Sequence, residues 1–352
     1  MRRVRRSHRL DVVPGTESRR RAHLVGSIPA DDAADAMRLA VEHLPGRLDH
    51  LPDGETGERS QWIMNVLDDF RHHPALEITR PGDFSGYDTV PRYRVRRGER
   101  LYGATLDLGI TAAARASYPV YREQRAAGVR GFQVGIPGAI DLALFTFGPT
   151  GVLRYERPFA EALAIAMHEV HRDDVVFQVE LPAELVLLTR APRPARRALA
   201  GLLAGRVAAL ALGAPRGARF GAHLCLGDLN HRALGAPSDA QPLVELANAL
   251  VERWPASRPL QYVHLPLAAG AEPPVVDPAF YRPLRGLRPG GVRVVAGYAH
   301  EEQDLGTQRR VRDQVEDAVG ARVDVSTSCG LGRRDRAGAI AAMDRIRTLL
   351  DD

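Results

Sequence analysis

Downstream of residue 21 the chain alternates short apolar runs with longer stretches whose apolar residues recur at helical spacing. Eight runs rich in Val, Ile, Leu, Phe or Tyr, each bounded by Gly, Pro or Asp, read as strands: 22–27, 46–52, 130–137, 174–182, 218–227, 260–268, 292–299 and 321–330. Between them the spacing predicts helices over 31–44, 58–71, 109–127, 156–171, 192–213, 239–253, 301–318 and 334–350. Asp31 or Asp32 is placed to cap the first helix, and Glu301, Glu302 and Asp304 to cap the one after the seventh strand. Eight strands alternating with helices imply an α/β fold, a (β/α)8 TIM barrel with an insertion between strands 2 and 3, over residues 53–129. An open doubly wound sheet is the competing architecture, but it requires edge strands and these eight are similarly apolar. The expected organisation is a disordered Arg-rich tail over 1–21 followed by a single barrel domain over 22–352.

Composition narrows the chemistry. All 48 basic residues are arginine, which excludes a Schiff-base lysine, a pyridoxal-phosphate enzyme and a Walker-type phosphate loop. The net charge of +5 is carried by the head: residues 1–21 hold eight Arg against Asp11 and Glu17, leaving the remainder at −1. A near-neutral body offers no nucleic-acid-binding face. The head lacks the apolar stretch of a secretory signal, and no apolar run of about 18 residues exists to span a membrane. Two cysteines, 104 positions apart, do not make a disulfide scaffold, so the expectation is a cytoplasmic protein with two thiols.

In such a barrel, chemistry collects at the C-terminal ends of the strands. Those ends carry Ser27, Asp53-Gly54-Glu55, Gly135-Ile136-Pro137-Gly138, Glu180, His223 with Cys225, His264, His300 and Cys329. Polar groups interrupting apolar strands are costly unless paired or coordinated. His223 and Cys225, two apart in a strand, face the same side. Zinc takes imidazole and thiolate donors tetrahedrally, so the expected ligand set is His223, Cys225, His264 and Cys329. Gly135–Gly138 permits close approach of a ligand to backbone, but it is no G-x-G-x-x-G fingerprint. His23 reads as a core or rim histidine, Glu184 as the start of a loop, and Arg333-Arg334 as solvated, with carboxylate or phosphate binding as the alternative.

These motifs resemble the C-terminal barrel of cobalamin-independent methionine synthase, in the family's order along residues 22–335. Val25-Gly26-Ser27-Ile28-Pro29 is similar to its Ile-Gly-Ser-Phe-Pro, Asp53-Gly54-Glu55 to its His-Gly-Glu, and Gln178-Val179-Glu180-Leu181-Pro182 to its Gln-Ile-Asp-Glu-Pro. His223-Leu224-Cys225 resembles its His-Met-Cys, and Ser328-Cys329-Gly330-Leu331 its Asp-Cys-Gly-Leu, the segments that supply zinc ligands. The resemblance implies that Ser27 and Glu55 hold the two ends of an amino-acid thiol, that Glu180 binds its amine, and that His300 assists proton transfer. His264 stands where the family has a ligating Glu, Leu181 where it has an acid associated with folate, and Asp53 where it has His. The family's N-terminal barrel has no counterpart in these residues.

The functional expectation is a zinc-dependent methyltransferase acting on a homocysteine-like thiol or amino-acid substrate, with a folate or a methyl-carrier protein as donor. His300 and Glu180 are the expected catalytic groups, Ser27, Glu55 and Glu180 the substrate contacts, and Zn2+ the cofactor. Two other readings stay open. In one, the same metal activates water in a lyase or hydrolase acting on a small carboxylated substrate, with Glu55 or Glu180 as base. In the other, a closed shell completed by His264 makes the zinc structural.

Overall fold

The computed structural model describes residues 19–125 and 128–351. The first helix, α1 (Ala33–His43), opens as the sequence implies, with the Asp32 carboxylate accepting from the Asp35 N–H at 2.8 Å. It is followed by β1 (His50–Pro52) and then the insertion, which holds α2 (Trp62–Asp69), β2 (Leu76–Arg80), β3 (Arg92–Val95) and α3 (Ile110–Gln124). β2 and β3 form an antiparallel hairpin where sequence pattern suggests only a loop rich in Pro, Gly and Arg. Arg94 pairs with Glu77 at 2.6 Å on the solvent side, Arg92 turns to the Phe145 carbonyl at 2.8 Å, and Leu76 and Tyr93 are buried.

From β4 onward strand and helix alternate regularly: β4 (Gly131–Pro137), α4 (Ala139–Phe147), α5 (Pro149–Val170), β5 (Val175–Leu181), α6 (Pro182–Arg190), α7 (Arg193–Leu212), β6 (Arg219–Leu224), α8 (Gln241–Arg253), β7 (Leu260–Pro266), α9 (Pro278–Tyr281), β8 (Arg293–Gly297), α10 (Leu305–Val319), β9 (Asp324–Ser326) and α11 (Arg336–Leu350). Three helices are not legible in the sequence: α4, almost wholly apolar and buried, α6, which begins at Pro182 directly on the end of β5, and the single turn of α9. Glu184 therefore lies in the first turn of α6, not in a loop. Asp304 caps α10 through the Thr307 N–H at 2.9 Å, whereas Glu301 turns to Arg334.

The seven parallel strands form one curled sheet in the order β1-β4-β5-β6-β7-β8-β9. Their interiors are buried on both faces, as expected of parallel strands covered by helices. The first expected strand, 22–27, lies between the two edges of this sheet as an isolated bridge rather than a ladder: Ala22 pairs with both Leu48 and Val325. Beyond His23 the Leu24 and Val25 carbonyls are taken by side chains instead of a neighbouring strand. Gln133 Nε2 donates to Leu24 O at 2.9 Å and to Val25 O at 2.8 Å, and Gln178 Nε2 donates to Val25 O at 2.6 Å. The result is TIM-barrel-like, a seven-strand arc with the 22–27 segment set in its seam.

Of the expected tail, residues 1–18 lie outside the described residues. Arg20 and Arg21 are tied to the fold by Glu316 and Asp49. Among the described residues no helix is long and apolar enough to cross a membrane.

Candidate metal centre

His223 sits near the C-terminal end of β6, in register with Glu180 on β5 and His264 on β7. Cys225 follows just past the strand, where its sulfur accepts the Gly227 N–H at 3.3 Å. Cys329 arrives from beyond β9, on a turn fixed by Thr327 Oγ1 donating to the Cys329 carbonyl at 2.7 Å. The two thiols are free and their sulfurs stand 3.9 Å apart. One ligand atom each from His223, Cys225 and Cys329 fall within 4.8 Å of one another. A hydrogen bond from the Cys329 thiol holds the Cys225 pKa well below the ordinary thiol value, and the same contact pushes that of Cys329 up.

His264 does not join the three donors. Its Nδ1 lies 2.8 Å from His223 Nδ1, and its Nε2 lies 3.0 Å from the Thr327 carbonyl. Burial first, then the neighbouring His223, keep it neutral. A carbonyl only accepts, so His264 carries its proton on Nε2 and accepts at Nδ1. His223 must then donate from Nδ1, which directs its other nitrogen, Nε2, toward the sulfurs. That Nε2 is buried with no hydrogen-bond partner. The expected fourth ligand is thus one layer back, with both nitrogens engaged, because an imidazole at this register reaches the neighbouring ring. Gly297 makes room for it: a Cβ there would stand 2.7 Å from His264 Nε2.

The residues fit a soft divalent metal. Two thiols and an imidazole nitrogen with no other partner are the donors zinc selects. Burial disfavours charge on His223, but the Cys225 thiolate outweighs it and raises the His223 pKa, so a proton competes with a metal for that nitrogen. Binding of a cation there displaces it.

Two carboxylates converge beside the cluster. Glu55 is aimed by a tight turn in which Gly54 takes φ +82° and Glu55 itself φ +41°. Asp53 ties this turn: Oδ1 accepts the Glu55 N–H at 3.0 Å, while Oδ2 accepts from Arg59 at 2.7 Å and Ser117 at 3.0 Å. Asp53 is therefore a scaffold for Glu55. A Cβ on Gly135 would lie 2.9 Å from Glu55 Oε1 and 3.3 Å from Glu180 Oε1, so only glycine lets both carboxylates lie against β4. Burial, then the charge of Glu180, raises the Glu55 pKa well above the usual range. Burial likewise pushes Glu180 up to about 7.

Glu180, Cys225 and Cys329 line one cavity of about 100 Å³ with Tyr87, Asp228 and Arg333. Glu55 opens on a neighbouring cavity of about 220 Å³. Tyr87 and Asp228 carry no sequence signal that singles them out. Arg333 is not solvated: its Nε donates to the Asp228 carbonyl at 2.9 Å and Nη1 to the Ser60 carbonyl. Arg334 pairs with Glu301 at 2.5 Å. Ser27 is clasped by the loop after Cys329, its carbonyl accepting from Leu331 N at 2.7 Å and its Oγ from Gly332 N at 3.2 Å. His300 is buried past the end of β8, with Nδ1 accepting the Glu302 N–H at 3.3 Å and Nε2 unpartnered, but it lines neither cavity. His23 is a core histidine, bonded to Gln178 Oε1 at 3.0 Å and held near pKa 3 by burial.

No protein-family model and no curated protein sequence matches the chain. Among solved structures, it is similar to the B12-independent methionine synthase of Shewanella sp. W3-18-1, determined in complex with selenomethionine. The TM-score is 0.60 at 14% identity, over 95% of this chain and 97% of that one. At that identity the likeness is one of fold: the chain has the barrel architecture of a B12-independent methionine synthase.

Proposed function

We propose that this chain is a zinc-dependent transferase that moves a methyl group to the thiol of a small, homocysteine-like amino acid. The observation that carries this reading is the meeting of one His223 ring nitrogen, Cys225 Sγ and Cys329 Sγ within 4.8 Å at the C-terminal end of a barrel-like sheet. Three protein donors leave a position for a substrate atom, the pattern of catalytic rather than structural zinc sites. The structural-zinc reading depended on His264 closing the shell, and both of its nitrogens are already engaged. Zinc at these donors would present a substrate thiol as its thiolate, the nucleophilic form.

The chain's own residues supply the rest. Glu55 and Glu180, crowded against Gly135, receive a substrate ammonium, which offsets the burial that raises both carboxyl groups and the repulsion from Glu180 that adds to it at Glu55. Ser27 Oγ, already accepting from Gly332, keeps its own O–H to donate to a substrate carboxylate. His300, its Nε2 free, serves as the proton donor to the departing group. A folate or a methyl-carrier protein would be the donor.

Metal analysis of the purified protein is expected to find about one zinc per chain, lost in Cys225→Ser and in Cys329→Ser. Finding no metal in the wild type would remove the proposal. In the cobalt-substituted protein, added homocysteine should alter the sulfur-to-metal charge-transfer bands. Bands indifferent to thiols, in a protein that still holds its metal, would favour water activation and a lyase or hydrolase instead.

A further inference from the structure

At the opposite end of the sheet, where the strands begin, lies a third cavity, of about 420 Å³. His50 opens β1 beside it, Arg130 precedes β4, Arg219 opens β6 and Gln261 lies at the start of β7. Four arginines line it, and two are matched: Arg21 by Asp49, and Arg293 by Asp49 and Asp324. The other two, Arg130 and Arg219, have no ion-pair partner among the described residues. Arg219 Nη2 is buried without a hydrogen bond, and so is Gln261 Oε1. His50 is held neutral, near pKa 4, chiefly by burial, so it can still donate an N–H.

The buried Arg219 nitrogen without an acceptor is costly, and with the exposed Arg130 beside it the cavity carries a net charge of about +2 once the two aspartates are counted. We propose that this cavity is a binding site for a dianionic phosphoryl group. One carboxylate would neutralise only one of the two free arginines. A phosphoryl dianion neutralises both, offers oxygens to each guanidinium fork and accepts from His50, and free hydrogenphosphate also gives its remaining O–H to Gln261 Oε1. The site is independent of the cysteine cluster and takes an anion, not a metal. The phosphoryl group can belong to free phosphate or to a small phosphorylated metabolite, since the recognising groups read only the oxyanion.

The test is calorimetric titration of the full chain with inorganic phosphate, and separately with glycerol 3-phosphate, at constant ionic strength. Saturable binding of one phosphate per chain is expected. It should weaken about tenfold in Arg219→Gln and in Arg130→Gln, the loss of one charge-assisted contact. Arg197→Gln, an exposed change on α7, should leave it unaltered. Equal binding of glycerol 3-phosphate identifies a phosphorylated metabolite as the ligand class, and binding of the inorganic ion alone identifies free phosphate. Absence of saturable binding, or affinity unchanged in both Gln variants, overturns the proposal. Should Arg219→Gln fail to fold by circular dichroism, the exposed Arg130 carries the test by itself.

Discussion

The Thr327 carbonyl decides the chemistry of a nitrogen two rings away. It fixes the proton of His264, which fixes that of His223, which leaves one lone pair for a metal. His264→Ala should therefore weaken metal affinity about 10- to 100-fold, as loss of a partner behind a ligand does, while keeping one metal per chain. Competition with a chelator measures it; loss of stoichiometric binding would mean that His264 is itself a ligand. A second residue-scale case lies in α6. Asp141 and Glu184 are both buried behind Gly138, and burial pushes Glu184 up to about 8 from its ordinary 4.5. The folded chain keeps this proton while the unfolded chain releases it, so the contribution of Glu184 is complete below pH 4.5 and declines as pH rises to about 8. The stability difference between Glu184→Gln and wild type should grow in favour of the variant across that window in urea denaturation. A difference independent of pH would contradict the assignment. The two-residue spacing of His223 and Cys225 made their common direction readable in the sequence. What lies beside them across the sheet depends on strand register, which is why the role of His264 was not.

Among the elements, the turn after β1 shows how backbone geometry aims a side chain. Gly54 at φ +82° leaves no space for a side chain, since a Cβ would stand 2.3 Å from that of Ala36. Gly54→Ala combines a left-handed conformation with overpacking against α1 and should cost about 2–4 kcal/mol. Thermal denaturation checks the loss; a variant as stable as wild type would show that the turn relaxes freely. The strands from β4 to β9 and most long helices follow the hydrophobic pattern, because burial on both faces writes continuous apolar runs. The pattern fails where another force shapes the element. The β2–β3 hairpin is arginine-rich because one face is solvated, and α4 hides because a helix buried all round has no polar stripe to betray its period.

Across the whole molecule, charge gathers where the two edges of the sheet meet. Asp49 accepts from both Arg21 and Arg293, and Arg293 also reaches Asp324 at 2.5 Å. Arg21 lowers the Asp49 pKa against the opposing effect of burial. Asp49→Ala removes an acceptor from two partly buried arginines at once, and a loss of about 1–3 kcal/mol is expected. An unchanged urea midpoint would show the belt to be ornamental to stability.

The segment between those edges is propped by the amides of Gln133 and Gln178 in place of a backbone ladder. Staves joined by a ladder can part only by unzipping in sequence. This one is stitched to both neighbours by backbone bonds at Arg21, Ala22 and His23, and over Leu24 and Val25 it leans on Gln133 and Gln178. Ser27 lies on it and Cys329 on the loop that clasps it, so the stave that closes the wall also sets a proposed substrate contact against the metal ligands.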